Sequence, residues 1–250
     1  TDDAAGLQIA TRLNAQSRGM AVAMRNVSDA VSLLQTAEGA FNEMTDIVQR
    51  MKDLATQSAN GTNSADDRTA LQAEYDQLGK ELANIMTNTT YADEALFGAD
   101  GKTGKFGAAV NFQIGATTAE KLAMNVSAKS EALGTTLSNL SSTYGTPDTP
   151  GTEITAAGDA NTKIDTLADA LDDIGALRAE FGATINRLNH TNNNLANMKD
   201  NTDMAKGRIM DADFAMESAN MSKNSMLMQS GISMLKQAGQ MPGLVMSLLG

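Results

Sequence analysis

The chain has 250 residues, 42% apolar and 4% aromatic, with no Cys, no Trp, one His and a formal net charge of -11. These numbers exclude disulfide frameworks, thiolate zinc sites, iron–sulfur clusters, cysteine nucleophiles and sites of paired histidines. The acidic balance and the scatter of the 19 basic residues argue against nucleic-acid or anionic-lipid partners, because neutralising phosphate needs clustered Lys and Arg.

With only six Phe and three Tyr, the core must come from Leu, Ile, Val, Met and Ala, which suit helix–helix packing better than a sandwich or barrel. The chain begins Thr-Asp-Asp-Ala-Ala-Gly, without initiator Met, basic n-region or apolar h-region. That start reads as a fragment or processed chain with no secretory signal. No run approaches the roughly 18 consecutive apolar residues of a membrane span, so no membrane insertion is expected.

Apolar residues recur at Met20, Met24, Val27, Val31, Leu34, Ala37, Phe41, Met44, Val48, Met51 and Ala55, a mean step of 3.5. That is the seam period of paired helices, and it predicts one long helix of roughly 50 Å. The cluster Ser58 to Ser64 stops it, and Asn63, Ser64 or a neighbour caps a second helix with its seam at Leu71, Tyr75, Leu78, Leu82 and Ile85. A short loop makes the two antiparallel.

Between Gly98 and Gly158 fall nine of the 21 glycines and two of the three prolines. That segment reads as turns and short strands, with a hairpin from Lys105–Ile114 and Leu122–Val126. Ser141 to Thr152 is polar and reads as an exposed loop unable to form core. Helical spacing returns from Ile164 through Leu188 to Met198. From Met204 onward the chain holds nine of its 16 methionines and carries no charge after Lys236. Apolar residues there lie on more than one helical face, as in Leu227, Met228, Ile232, Met234, Leu235, Met241, Leu244, Val245, Leu248 and Leu249. A helix apolar on most sides needs burial by a partner, here intermolecular.

The expected organisation is mainly α: a long antiparallel coiled-coil-like helical rod with a small β-hairpin region and a C-terminal helix. Its parts are rod helices over 1–97, the hairpin and a short variable loop region over 98–160, a second rod helix over 161–203 and an inner-layer helix over 204–250.

Motifs for chemistry are weak. Gly101-Lys102-Thr103 resembles the end of a phosphate-binding loop, but Leu96 stands where that loop needs Gly. Asp165, Asp169, Asp172 and Asp173 share a helical side and read as a solvated face rather than a metal or acid–base site. His190 has no second His or Cys to complete a metal site. Asn186, Asn189, Asn193 and Asn197 follow helical spacing; their amides could hydrogen-bond along or between helices, and they read as structural. No nucleophile–base set or dinucleotide loop is present, so no catalysis and no cofactor are expected.

The stretch Asp2-Asp3-Ala4-Ala5-Gly6-Leu7-Gln8-Ile9-Ala10 resembles the N-terminal signature of bacterial flagellin. So do Met24-Arg25-Asn26 with Asp29-Ala30, Thr36 to Ala40, and Gln49 to Asn60. Asn186-Arg187-Leu188, Asn193-Asn194-Leu195, Arg208-Ile209, Asp211 to Ala215, Asn220 to Lys223 and Ser247 to Gly250 resemble its C-terminal pattern. The resemblance covers about residues 1–127 and 160–250. It implies that roughly the first forty residues of a flagellin are absent, and with them the partner of the C-terminal helix in the innermost filament layer.

The resemblance further implies a homopolymer-forming subunit of the flagellar filament, extracellular and secreted through the flagellar export channel without a cleaved signal peptide. Its partners would be its own copies, an export chaperone, and the filament cap and hook-junction proteins. Met221, Leu227, Met228, Ile232, Leu235, Leu244, Val245, Leu248 and Leu249 would serve chaperone binding and inner-filament packing. An animal flagellin-sensing Toll-like receptor would read Arg50, Leu54, Gln57 and Glu74. A hook–filament junction protein and a surface homologue with a ligand-binding role are the rivals. A peptidase-bearing variant needs paired histidines.

Overall fold

The computed structural model describes residues 4–211 and 214–247, with side chains described for residues 5–211 and 217–239. In chain order the elements are α1 (Ala4–Ala59), α2 (Ala65–Asn88), β1 (Thr90–Tyr91), β2 (Glu94–Ala95), a 3-10 turn at Lys105–Gly107, β3 (Val110–Gln113), β4 (Lys121–Met124), α3 (Ser127–Leu140), α4 (Ser142–Gly145), α5 (Ala157–Met210) and α6 (Phe214–Ser247). Residues divide into two compact units, one of Gln16–Asn201 and one of Thr1–Ala15 with Thr202–Gly250.

In the larger unit the seam predicted from Met20 to Ala55 faces inward. Met20, Val27, Leu34, Ala37, Phe41, Met44, Val48, Met51 and Ala55 are buried, with Met24 and Val31 partly so. The helix ends at the Ser58 to Ser64 turn, and Ser64 caps α2 through a reciprocal box with Asp67. The Ser64 N–H donates to Asp67 Oδ2 at 2.9 Å, and the Asp67 N–H donates to Ser64 Oγ at 3.2 Å. Arg68 donates from Nε to the Ser58 carbonyl at 2.9 Å, pinning α2 back on the end of α1. Helix α5 runs antiparallel to α1: Arg178 faces Glu38 at 3.8 Å, and residues 192–200 lie beside residues 21–28.

Four of the six phenylalanines join these helices to the segment between them. Phe41 of α1 lies 4.9 Å from Phe97, Phe97 5.4 Å from Phe106, Phe106 4.9 Å from Phe181 of α5, and Phe181 5.6 Å from Phe41. The rings close a buried circuit.

The middle segment departs from the sequence expectation in three ways. First, the hairpin forms, but its strands are Val110–Gln113 and Lys121–Met124, in register Val110 to Met124 and Gln113 to Lys121, while Lys105 begins a 3-10 turn. A second, tighter hairpin joins β1 and β2, with Ala92 and Asp93 at φ 52 and 62, the backbone of a two-residue turn.

Second, residues 127–140 form a helix rather than turns, burying Leu133, Leu137 and Leu140. The steps of four and three between those leucines carry a helical stripe that the surrounding glycines mask. Lys129 pairs with Glu180 at 2.8 Å and Thr136 donates to Asp173 at 2.7 Å, so α3 lies along α5. Gly134 and Gly101 are close-approach positions: Gly101 has φ +70, and a Cβ on Gly134 would fall 2.5 Å from the Asp100 carbonyl carbon.

Third, the polar stretch from Ser141 to Thr152 is not a loose loop: Ser141, Thr143, Tyr144 and Gly151 are buried. Buried polar groups persist because they are paired. The Gly151 N–H donates to Asp76 Oδ2 at 3.1 Å, and Thr143 Oγ1 donates to the Asp76 carbonyl at 3.0 Å. Gln72 Nε2 donates to Asp76 Oδ1 at 2.8 Å and to Glu153 Oε2 at 2.7 Å, while Gln72 Oε1 accepts from the Ile154 N–H at 2.8 Å. The Ser142 N–H and hydroxyl both donate to Glu153 Oε1, at 2.6 and 2.7 Å. Tyr75 donates to the Leu140 carbonyl at 2.9 Å, and burial, then the Glu153 and Asp76 charges, push its phenol well above the usual range. Gly79 gives the strap room: a Cβ there would lie 2.5 Å from Thr143 Oγ1.

Two expected outcomes follow from this packing. Phe181→Ala opens the aromatic circuit and costs about 3–5 kcal/mol, read by denaturant unfolding of the chain; a loss below about 1 kcal/mol sinks the role given to the circuit. Burial pulls the Glu153 carboxyl up, but the Ser142 and Gln72 hydrogen bonds outweigh it and hold the group below the usual carboxylate range. A lowered folded pKa contributes stability above the unfolded Glu value, and this is lost as pH falls through the folded one. Protection of the 141–154 amides against hydrogen exchange, taken relative to the intrinsic rate that itself slows in acid, should therefore fall as the pH is lowered, and Glu153→Gln should remove part of that acid dependence. Identical pH profiles for the two chains count against the strap.

Candidate functional site

Two surfaces contain the residues singled out from sequence. The first is α6. Every residue from Glu217 to Gly239 is exposed, and Met221, Leu227, Met228, Ile232 and Leu235 are 51% to 77% exposed. At 100° per residue, Met221, Met228, Ile232 and Leu235 fall on one stripe, with Leu227 roughly 110° away. Leu244 and Val245 have side chains outside the described residues, and Leu248 and Leu249 lie outside them altogether. In the same unit, Leu7 and Ile9 are exposed, while Lys206 donates to Asn14 Oδ1 at 3.5 Å beside an open groove of about 410 Å³ lined by Leu7, Ala10 and Met210.

The second surface lies where α1 faces α2. Arg50 donates from Nε to Glu74 Oε1 at 2.8 Å, and its Nη2 approaches the same oxygen at 2.7 Å. Both side chains are about half exposed, so this pair contributes little to stability. Gln57 is exposed. Leu54 is not surface: it is 1% exposed, turned into the core beside Met51 and Ala55. A contact at this face would touch Arg50, Gln57 and Glu74 while Leu54 sets the helix beneath them.

The remaining motifs take structural roles. Asp100 Oδ1 accepts from the Lys102 N–H at 2.9 Å, the Thr103 N–H at 3.1 Å and the Thr103 hydroxyl at 3.0 Å, so an internal carboxylate occupies the donors that a phosphate would need. Lys102 pairs with Glu131 at 2.8 Å. Asp165, Asp169, Asp172 and His190 are exposed, and Asp173 accepts from Thr136. The asparagines at 186, 189, 193 and 197 have amides that could bond along or between helices. Instead their steps of three and four run on the outer face, opposite Leu188 and Leu195, and all four are exposed with no such bond among the described residues. Among the described residues no three His, Asp or Glu gather to hold a metal, and no helix is long and apolar enough to cross a membrane.

Comparison with known proteins settles the family. The family model of the bacterial flagellin N-terminal helical region matches residues 1–102, and that of the C-terminal helical region matches residues 164–249. The chain belongs to the bacterial flagellin family. Flagellin A of Vibrio anguillarum is 35% identical over 342 aligned residues, spanning 99% of this chain and 89% of that protein. Polar flagellin C of Vibrio parahaemolyticus is 34% identical, with the same coverage of both chains. An alignment longer than 250 residues means that these flagellins carry residues inside the matched span that this chain lacks. The crystal structure of Bacillus cereus flagellin superposes with a TM-score of 0.54 at 30% identity, covering 68% of this chain and 88% of that one. A Vibrio parahaemolyticus protein described as flagellar hook-associated shares the fold, with a TM-score of 0.65 at 14% identity, covering 83% of this chain and 98% of that one. As a flagellin, the chain is a structural subunit of the extracellular flagellar filament.

The sequence reading missed Gln72, Asp76 and Glu153. The polar residues Gln72 and Asp76 beside the apolar seam of α2 were the available signal, and their partners on the strap lie 75 to 82 positions away. Leu54→Ala should cost about 2–5 kcal/mol in unfolding free energy while Gln57→Ala stays within about 0.5 kcal/mol. Equal effects in denaturant titration would show that this helix face is turned differently.

Proposed function

We propose that this flagellin polymerises by mutual burial of α6. The carrying observation is the exposed apolar stripe of Met221, Met228, Ile232 and Leu235 with Leu227 beside it. Fully burying such side chains is worth about 1.5–3 kcal/mol each, enough together to drive association. Methionine adapts its shape, so one helix can pack against several copies and against a transient chaperone. In this reading residues 204–250 form the inner layer, 1–97 and 161–203 the packed outer helices, and 98–160 the hairpin and variable region.

The same stripe has to be covered before assembly, which is the role of an export chaperone. Passage through the flagellar export channel without a cleaved signal peptide accords with the absence of Cys, since no disulfide has to form afterwards. The filament cap and hook-junction proteins are further partners; the shared fold with the hook-associated protein supports contacts of the same packing type. Arg50, Gln57 and Glu74, supported by Leu54, are the face offered to a flagellin-sensing Toll-like receptor. A structural role, with no catalysis and no cofactor, fits these surfaces. A junction protein is the weaker alternative, because identity to flagellins is more than twice that to the hook-associated protein.

Replacing Leu227, Met228, Ile232 and Leu235 together by Ser should abolish elongation of flagellar filament seeds, scored by electron microscopy, and leave the unfolding of residues 16–201 unchanged. Seeds that elongate as well with the substituted chain would falsify burial of α6 as the driving contact.

A further inference from the structure

The methionines of this chain fall into two classes. Met20, Met44, Met51, Met86 and Met124 are buried in the larger unit, each at most 3% exposed. On α6 the order is reversed: Met221, Met226, Met228 and Met234 are 66% to 71% exposed. These four thioethers lie on two faces of the helix. At 100° per residue, Met221 and Met228 fall within roughly 20° of each other, on the stripe with Ile232 and Leu235, while Met226 and Met234 stand roughly 140° to either side of Met221. Two of the four positions on the apolar stripe therefore carry an accessible sulfur.

Methionine is apolar only while its sulfur is reduced. With no Cys and no Trp in the chain, the thioether is the most easily oxidised group it presents to solvent. With hydrogen peroxide the sulfur lone pair attacks one peroxide oxygen, the S–O bond forms as the O–O bond breaks, and the second oxygen leaves as water. The sulfur loses two electrons and the peroxide gains them. The product sulfoxide is a strong hydrogen-bond acceptor, and burying it in an apolar contact without a donor is unfavourable. Ile or Leu at the same two positions would fill the stripe without this liability.

We propose that Met221 and Met228 form a redox-sensitive site at which a peroxide controls assembly: their sulfoxides make the stripe polar, and an oxidised copy folds but does not add to a polymer. The proposal rests on the reading that α6 is buried between copies and adds to it a second, reversible state of the same surface. The buried methionines leave the larger unit unaffected. Copies already assembled are shielded because their stripe is covered, so the control acts on free chains. Sulfoxide reductases, one for each sulfur epimer, reverse it.

The test treats the chain with hydrogen peroxide and maps added oxygen by peptide mass spectrometry. Met221 and Met228 should oxidise at least about tenfold faster than Met44, Met51 and Met86, whose burial shields them. The oxidised chain should keep the unfolding transition of residues 16–201 and elongate flagellar filament seeds at least about tenfold more slowly, and treatment with both sulfoxide reductases should restore the rate to within about threefold. Met221→Leu with Met228→Leu conserves the volume of the stripe and should elongate seeds equally well before and after peroxide. Met226→Leu with Met234→Leu, altered off the stripe, should stay as sensitive as the unaltered chain. The reductase arm uses the unaltered chain and stands whatever the substitutions do to folding. An oxidised chain that elongates normally, a rate that the reductases do not restore, a Met221→Leu, Met228→Leu chain that peroxide still stops, or resistance in the off-stripe variant overturns the switch. Each of these leaves the filament reading standing, because untreated chains still grow. Failure of the untreated, unaltered chain to elongate seeds strikes burial of α6 itself and takes the switch with it.

Discussion

Everything in the larger unit depends on covering one long apolar stripe. Two antiparallel helices bury only the side each turns to the other, and a seam that repeats every 3.5 residues leaves flanks open along its length. Here α2 closes one flank and α3 with the strap closes another, and the circuit of Phe41, Phe97, Phe106 and Phe181 ties that cover to both long helices. Small residues at Ala23, Ala30 and Ala37 on α1 and Ala160 and Ala170 on α5 are buried, which lets the helices approach closely enough for the larger side chains to interlock. The middle segment is therefore a structural cover.

What was legible in the sequence was whatever repeats locally. The seams of α1, α2 and α5, the turn after Ala59 and the Ser64 cap all follow from spacing within a few residues of each other. The hairpin was legible to within a few residues, because alternation marks strands but not where a 3-10 turn precedes them. Helix α3 and the strap were not read, for different reasons. Leu133, Leu137 and Leu140 held the right spacing within a glycine-rich context that argued for turns, and tertiary burial overrode the local preference. The strap has no internal pattern at all: Gly151, Glu153 and Ile154 are fixed by Gln72 and Asp76 on α2, 75 to 82 positions earlier. No local rule reaches so far.

The candidate surfaces divide along the same line. That Met221 to Leu235 is apolar without a covering partner could be read from composition and is seen again in the exposure of α6. That Arg50, Leu54 and Gln57 share a helix face followed from their spacing, but spacing does not say which way the face turns. Leu54 lies toward the core edge of that face and is buried, whereas Gln57 is exposed. The loss of the Asn186–Asn197 pairing has the same origin: a regular polar stripe is equally compatible with an interhelical ladder and with a solvated back, and only the position of Leu188 and Leu195 decides.

Apolar and charged surfaces impose different demands on an assembling chain. Within residues 16–201 nearly every large apolar side chain finds cover, whereas the apolar side chains of α6 from Met221 to Leu235 are exposed. Charge is handled in the opposite way. Pairs such as Arg50 with Glu74 and Lys129 with Glu180 are satisfied within the chain, while the excess negative charge of residues 29–182 is not, and Arg18, Arg25 and Arg187 make no ion pair among the described residues. Hydrophobic burial has no direction and would by itself permit many arrangements of copies. Uncompensated negative charge penalises the arrangements that bring two such surfaces together. An apolar helix can thus supply the affinity of a polymer and the uncompensated charge narrow its geometry, without either surface being needed to hold the single chain together.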